Sequence, residues 1–282
     1  MDQKKILLLV SQPANGASHN DNHERLHLAF ASAGWQVDIY PHNLLALRTD
    51  EPHIKDIPLT GYTLVWPVGF GPREGYNKRL AILDHVDKNI ISPARSVSRL
   101  HNKVHWLDFA PESHASNDPD ILSTIATKGG DWILKPAIGS FGRAVSRIGR
   151  AEEIAKIMPA ASTDPWILQR YIEGIGAGEY RTIVALGNII GSYRRSATDG
   201  LHANLALGGR AHAAELPDEN ARIVHKVIEV LNIEKIGFAA VDTCSGFTIE
   251  VNVVNPGGLR TLDELYQTDS ATRVVRLVEA NL

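Results

Sequence analysis

The 282-residue sequence predicts an α/β fold with an α+β second half, and three observations carry that expectation. Ile6–Val10 is an uninterrupted apolar run ended by polar and turn-forming residues, the pattern of a strand buried on both faces of a parallel sheet. From Asn22 to Ala33 the apolar positions Leu26, Leu28, Ala29 and Phe30 follow a helical period, and a strand pattern comes after, so the chain opens as β-α-β. Beyond about residue 100, strand-length runs crowd together with short glycine-rich connections, which predicts hairpins beside helices.

In order, Gly34 is placed to end the first helix, and Trp35–Tyr40 alternates as the second strand. Tyr62–Pro67 is a further strand, Arg79–Val86 a helix, and Ile90-Ile91 the next strand, ending at Ser92-Pro93. Residues 1–98 are therefore expected to form an open α/β lobe. Strands are then expected over Trp132–Lys135, Ala144–Ile148, Trp166–Tyr171, Tyr180–Leu186 and Ile189–Arg195. A helix over Asp218–Leu231, with Pro217 near its start and Asn232 near its end, precedes strands over Gly237–Asp242 and Phe247–Val253. The loops Lys128–Asp131 and Ala160–Pro165 bracket a small subdomain, so residues 99–165 are expected as a mobile lid and 166–282 as a catalytic unit.

Composition removes several classes of function. With 29 Lys+Arg against 32 Asp+Glu the net charge is −3, which argues against a nucleic-acid binder that relies on a basic field. At 44% hydrophobic and 22% charged residues the chain reads as an ordinary globular protein rather than a disordered one. No stretch approaches the roughly 18 apolar residues of a membrane span, no signal-peptide pattern opens the chain, and no fixed-period repeat is visible. The single cysteine, Cys244, makes neither an intrachain disulfide nor a cysteine metal site, so a reducing cytoplasm is the expected location and a structural role the expected one.

Four constellations could carry chemistry. In Trp132–Val145 a strand ending in Lys135-Pro136 runs into a loop holding Gly139, Ser140 and Gly142, where backbone N–H groups can approach a polyphosphate and the lysine adds a point charge. It is not a Walker P-loop, because the lysine precedes the glycines. Alone, such a loop is more often a hairpin turn with an exposed lysine. In the second, Glu250 and Asn252 lie two apart on one strand face, with Asp242 on the preceding strand, while Ile249, Val251 and Val253 form the buried face. Two carboxylates and an amide suit magnesium shared with nucleotide phosphates, or else the solvated face of an edge hairpin. The third is Gly178-Glu-Tyr-Arg181, with Gln169-Arg170-Tyr171-Ile172 upstream and Arg194-Arg195 downstream. The fourth is Ala203–Arg210. Acidic groups can hold ribose hydroxyls, a strand backbone can read an adenine edge, and arginines can take phosphate or carboxylate, although each signal is weak by itself.

Together and in this order, from about Ser98 to Glu264, these residues resemble the ATP-grasp carboxylate–amine ligases, and within them the bacterial glutathione synthetases. Asn204-Leu-Ala-Leu-Gly-Gly-Arg210 and Glu250-Val-Asn-Val-Val-Asn-Pro-Gly-Gly-Leu-Arg260 are similar to that family's own signatures. The resemblance implies an ATP-grasp fold, with an N-terminal pre-ATP-grasp lobe and a nucleotide held between two sheets. It implies that Lys103 and Lys135 contact the phosphates, that Gly139, Ser140 and Gly142 close over them, that the backbone of Gln169, Arg170, Tyr171 and Ile172 reads adenine, and that Glu179 faces the ribose. Arg181 would join Lys103, Lys135 and Arg210 around the polyphosphate. Asp242, Glu250 and Asn252 would hold one or two Mg²⁺ ions, with Mn²⁺ as a substitute. Arg210 and Asn204 would lie near the transferred phosphoryl group and Arg260 near the acyl substrate.

The activity implied is amide formation through an acyl phosphate, joining γ-glutamylcysteine or a related carboxylate to glycine or another small amine. The partners implied are therefore small molecules, with neither nucleic acid nor membrane, and a homo-oligomer. A ligase that adds an amino acid to a peptide or protein tail, and a catalytically silent ATP-binding module, stay open as alternatives. Two positions depart from the family pattern: His202 stands two before Asn204 where an arginine is usual, and Arg143 where the phosphate loop carries a small residue. The N-terminal lobe diverges most, at Trp66–Tyr76, where Arg73 and Glu74 are either acyl-substrate contacts or a plain loop. His19, His23 and His27 share a helical face without a carboxylate to complete a metal set, which reads as a solvated face.

Overall fold

In the computed structural model the described residues are 3–11, 20–69, 75–86, 89–139, 144–159, 162–196, 205 and 208–282. The first third contains β1 (Lys5–Val10), α1 (Asn22–Ser32), β2 (Gln36–Pro41), β3 (Leu45–Arg48), β4 (Glu51–Ile54), β5 (Ile57–Pro58), β6 (Leu64–Pro67), α2 (Tyr76–Leu83) and α3 (Ala94–Leu100). Next come β7 (Ser113–Ser116), α4 (Pro119–Ala126), β8 (Trp132–Pro136), β9 (Ser146–Ile148), α5 (Ile154–Ile157) and β10 (Trp166–Arg170). The last part is β11 (Glu179–Ala185), β12 (Asn188–Ser196), β13 (Arg210–His212), α6 (Asp218–Ile233), β14 (Phe238–Cys244), β15 (Phe247–Asn252), α7 (Leu259–Tyr266) and α8 (Ser270–Ala280).

The opening β-α-β forms as expected, with β1 parallel to both β2 and β6 in the order β2-β1-β6. Gly34 follows α1 with φ at +84°, a turn conformation that glycine adopts without a Cβ penalty. Leu28, counted on the apolar face, points to solvent instead. The Ile90-Ile91 strand does not form, because Ile90 makes only an isolated parallel bridge to Val65 and two apolar residues before Ser92-Pro93 are too few to propagate a ladder. A small antiparallel sheet, β3-β4-β5, for which the sequence carries no periodic signal, occupies the stretch of chain between β2 and β6. No described helix is long and apolar enough to cross a membrane.

The remaining strands make two antiparallel sheets, β7-β10-β8-β9 and β13-β12-β11-β14-β15. Strand β10 pairs with β7 and β8, so Trp166–Arg170 is a central strand of the four-stranded sheet. That sheet has its own core, in which Leu122, Trp132, Leu134, Ile154, Trp166 and Leu168 pack together. The other two cores cross the chain. Leu7, Leu9 and Val65 pack with Val224, Val227 and Val241, while Ile6, Leu8 and Phe30 pack with Ile183, Ala240, Val274 and Val278. The continuous apolar run of β1 has this cause: its alternate residues enter two different cores, each fully buried side chain contributing about 2 kcal/mol. The parallel sheet is thereby packed against the five-stranded sheet through two shared cores.

Candidate functional site

The site is built on β11, β12, β14 and β15. Antiparallel register sets Arg181 opposite Asp242, Glu179 opposite Arg195, and Asp242 opposite Glu250, so these side chains share one face. Arg181 clasps Asp242 bidentately, Nε to Oδ1 at 2.8 Å and Nη2 to Oδ2 at 2.7 Å. Arg195 reaches the same carboxylate at 2.9 Å and also donates to Glu179 Oε1. All four are buried or nearly so, and a buried charge persists only when paired, so two guanidiniums against two carboxylates is a balanced set. Burial alone would raise the Asp242 carboxyl, but Arg181 and Arg195 outweigh it and hold the group below the ordinary carboxylate range. Burial instead pushes the Glu179 carboxyl up, with the Asp242 charge acting in the same direction against Arg195. Gly178, at φ +114°, leads into this strand pair against the Arg195 carbonyl, where an added Cβ would collide with backbone.

The hairpin between β14 and β15 closes through Ser245 and Gly246, both at positive φ, the two-residue turn that suits strand twist. Buried Cys244 ends β14 and donates weakly to the Gly178 carbonyl, and burial pushes its thiol up, consistent with a structural role. A register shift follows Asp242: Asp242 pairs with Glu250 and Thr243 with Thr248, so Ile249 is a bulged residue with no partner across the ladder. Of the expected buried face, Val251 and Val253 are buried and Ile249 is the residue that departs. Thr248 takes the buried place and Ile249 is only partly buried, because the extra residue shifts the alternation.

The bulge turns the Ile249 carbonyl into an acceptor for the other sheet. From β8, Lys135 Nζ donates to Ile249 O at 3.1 Å and to Gln169 Oε1 on β10 at 3.0 Å. Lys103, at the start of a 3₁₀ segment, lies one residue further along, with Nζ 3.1 Å from Glu250 Oε1 and 2.9 Å from the Gly139 carbonyl. Two cations, one from the 3₁₀ segment and one from β8, thus meet consecutive residues of β15. Burial, aided by the neighbouring Lys103 charge, pushes the Lys135 ammonium down to about 8.

Other expected residues separate from this cluster. Arg170 is turned to the outside of the four-stranded sheet, where its guanidinium lies 3.8 Å from the Trp132 ring centre and its Nε donates to Glu112 at 2.8 Å. The backbone N–H of Arg170 goes to Glu112 O and that of Tyr171 to Asp131 O, so both donors are already committed. Arg210 is exposed on β13, and Arg260 is exposed at the start of α7 with Nε on Glu264 at 2.7 Å. Asn252 Oδ1 accepts from the N–H groups of Val254 and Asn255, at 3.2 and 3.3 Å. Ser140, Gly142, His202 and Asn204, with Arg143, Arg73, Glu74 and His19, lie outside the described residues. The bulge at Ile249 has no counterpart in the sequence pattern, and of the two roles open to Arg195, phosphate or carboxylate, the structure shows carboxylate, as the bridge between Glu179 and Asp242.

The donor set tests the metal expectation. Among the described residues no group of three or more His, Cys, Asp or Glu is arranged to hold a metal ion. What converges is two carboxylates with an amide close by on the same strand, hard oxygen donors too few for an all-protein site but suited to Mg²⁺ whose shell is completed by phosphates. The residues fit that group.

A model of the prokaryotic glutathione synthetase ATP-grasp domain matches residues 101–267. The chain belongs to that family. Within the ATP-grasp family, glutathione synthetase of Rhodopseudomonas palustris is 27% identical over 199 residues, covering 68% of this chain and 64% of the relative. The chain thus spans just under two thirds of that relative's length. Glutathione synthetase of Prochlorococcus marinus subsp. pastoris is 26% identical over 286 residues, covering 97% of this chain and 89% of the relative. The fold is the ATP-grasp fold: D-cycloserine synthetase DcsG superposes with a TM-score of 0.71 at 14% identity, covering 98% of this chain and 99% of that one. The RimK domain ATP-grasp protein of Sphaerobacter thermophilus gives 0.68 at 17% identity, covering 97% and 98%.

Proposed function

We propose that the protein is an ATP-dependent ligase that forms an amide through an acyl phosphate, joining γ-glutamylcysteine or a related carboxylate to glycine or another small amine. The observation that carries this reading is the meeting of Lys103 and Lys135 with consecutive residues of β15, beside the buried Asp242, in a member of this family. Attack of a carboxylate oxygen on the γ-phosphate of ATP brings anions together and releases ADP, leaving an acyl phosphate that the amine attacks with loss of phosphate. Lys103 and Lys135 supply fixed positive charge where that charge spreads, and Lys135 does so from a site shielded from water. Glu250 and Asp242, with Asn252, would hold Mg²⁺, which when bound neutralises phosphate charge and polarises the phosphoryl oxygens. Arg181 and Arg195 keep Asp242 ionised and aimed. Glu179 would meet the ribose, and the Tyr171 carbonyl with the backbone of Ile172 the adenine edge. Arg210 and Arg260 would serve the phosphoryl group and the acyl substrate from the exposed rim.

The test is ADP release with Mg²⁺-ATP across a panel of carboxylates and amines, beginning with γ-glutamylcysteine and glycine. Release dependent on one such pair, with an equal amount of amide formed, is the expected result. Release only with a peptide or protein acceptor points to the tail-modifying alternative, and nucleotide binding without turnover by any pair to the silent module.

A second expectation follows from Lys135. Its ammonium is half deprotonated at about pH 8 in the free protein, and a polyphosphate beside it favours the charged form. Above that pH, ATP binding is therefore expected to take up as much as about one proton from solution. Calorimetry in buffers of different ionisation enthalpy measures this, and Lys135→Met should abolish the uptake.

A further inference from the structure

We propose that the Gln169 side chain is a positioning residue, acting on the phosphates of a bound nucleotide through Lys135 and not on the base. The inference rests on the reading of this cleft as a nucleotide site.

Gln169 and Lys135 lie on paired strands, 5% and 6% exposed. A buried amide must satisfy both its ends, and here a chain of donors decides which end faces the lysine. Ser113 Oγ donates its hydrogen to the Pro111 carbonyl at 2.7 Å, so its oxygen is left to accept. Gln169 Nε2 donates to that oxygen at 2.9 Å, which turns Oε1 towards Lys135. The amide orientation is thereby set by the network, not by a free choice between its two ends.

An ammonium has three N–H directions. In Lys135 one is taken by Gln169 Oε1 and one by the bulged carbonyl of Ile249, so the third direction follows from the other two. Both acceptors are neutral, so the lysine is held while its net charge remains available to an anion. A flexible four-carbon chain is converted into a fixed point charge, tethered to the residue before Glu250. The pair also carries register: the carbonyl that aims Lys135 and the carboxylate that meets Lys103 are consecutive on β15, so phosphate contact and carboxylate move together.

The test compares ATP with adenosine, which lacks the phosphates, on the full-length protein by calorimetric competition. Gln169→Met keeps the volume and removes the acceptor. It is expected to weaken ATP about tenfold, the scale of one hydrogen bond to a charged group, and to leave adenosine unchanged. Lys135→Met is expected to weaken ATP at least as much, and Gln169→Met added to Lys135→Met should cost nothing further, because the first acts through the second. Ser113→Ala, which frees the amide to turn without touching the lysine, should weaken ATP about threefold with adenosine unchanged. Equal weakening of ATP and adenosine by Gln169→Met overturns the inference, since the side chain then meets the base. Additive losses in the double variant overturn it as well. If Lys135→Met binds ATP as the parent does, the nucleotide reading of Lys135 falls first and the inference with it.

Discussion

Replacing Asp242 by asparagine is expected to lower the free energy of unfolding by about 3–5 kcal/mol, the scale for breaking a buried ion pair from one side. The variant keeps the shape of the side chain and removes its charge. Two guanidiniums, from Arg181 and Arg195, then share the single carboxylate of Glu179 in a site where Arg195 and Asp242 side chains are 6% and 2% exposed. The amide also places an NH₂ group against donors that need acceptors, so the lost attraction is joined by an unmet hydrogen bond. Equilibrium denaturation in urea measures the change. The pH dependence supplies a second check. The folded Asp242 carboxyl is held below its reference of 3.8, so its stabilisation is complete at neutral pH and is lost as pH falls below that value towards the folded one. The acid unfolding curve of Asp242→Asn should lack that component. Asp242→Asn with parental stability would show that the arginine clasp is not what keeps this charge buried.

Much of the fold was legible because its signals are local and periodic. Ile6–Val10 announced a doubly buried strand, and β1 does enter two cores. The two-residue spacing of Glu250 and Asn252 announced one face, and the register does set Asp242 opposite Glu250. What was not legible depends on contacts distant in sequence or on residues that look the same in either role. Ile249 is apolar whether it packs or bulges, so its spacing from Val251 and Val253 concealed the bulge that frees its carbonyl for Lys135. Arg194 and Arg195 are adjacent basic residues, and only the pairing of β12 with β11 shows that Arg195 faces Glu179 and Asp242. Strands β3 to β5 are two to four residues long and interrupted by Pro52 and Pro58, too short to show a period. Arg170 illustrates the converse: a motif residue by position, its side chain is occupied by Trp132 and Glu112 on the outer surface.

Glu250→Ala is expected to lose turnover by roughly 100-fold or more while leaving the fold intact. The two effects separate because Glu250 is held differently from Asp242. Among the described residues its ion pair is with Lys103 at 3.1 Å, with side-chain exposures of 14% for the lysine and 30% for the glutamate, and a partly solvated pair is worth about 1 kcal/mol. Lys103 also keeps its bond to the Gly139 carbonyl when the carboxylate is gone, so the cation is not stranded. Removal of the anion leaves Lys103 and Lys135 with more uncompensated positive charge, which favours a polyphosphate by itself. The affinity for ATP without divalent cation is therefore expected to hold or rise, whereas the gain in affinity on adding Mg²⁺ should disappear. Mn²⁺ titration followed by electron paramagnetic resonance gives a readout independent of turnover, and thermal melting confirms the fold. Parental turnover in Glu250→Ala, or an unchanged response of ATP affinity to Mg²⁺, would remove Glu250 from the metal site and leave its carboxylate only the task of orienting Lys103.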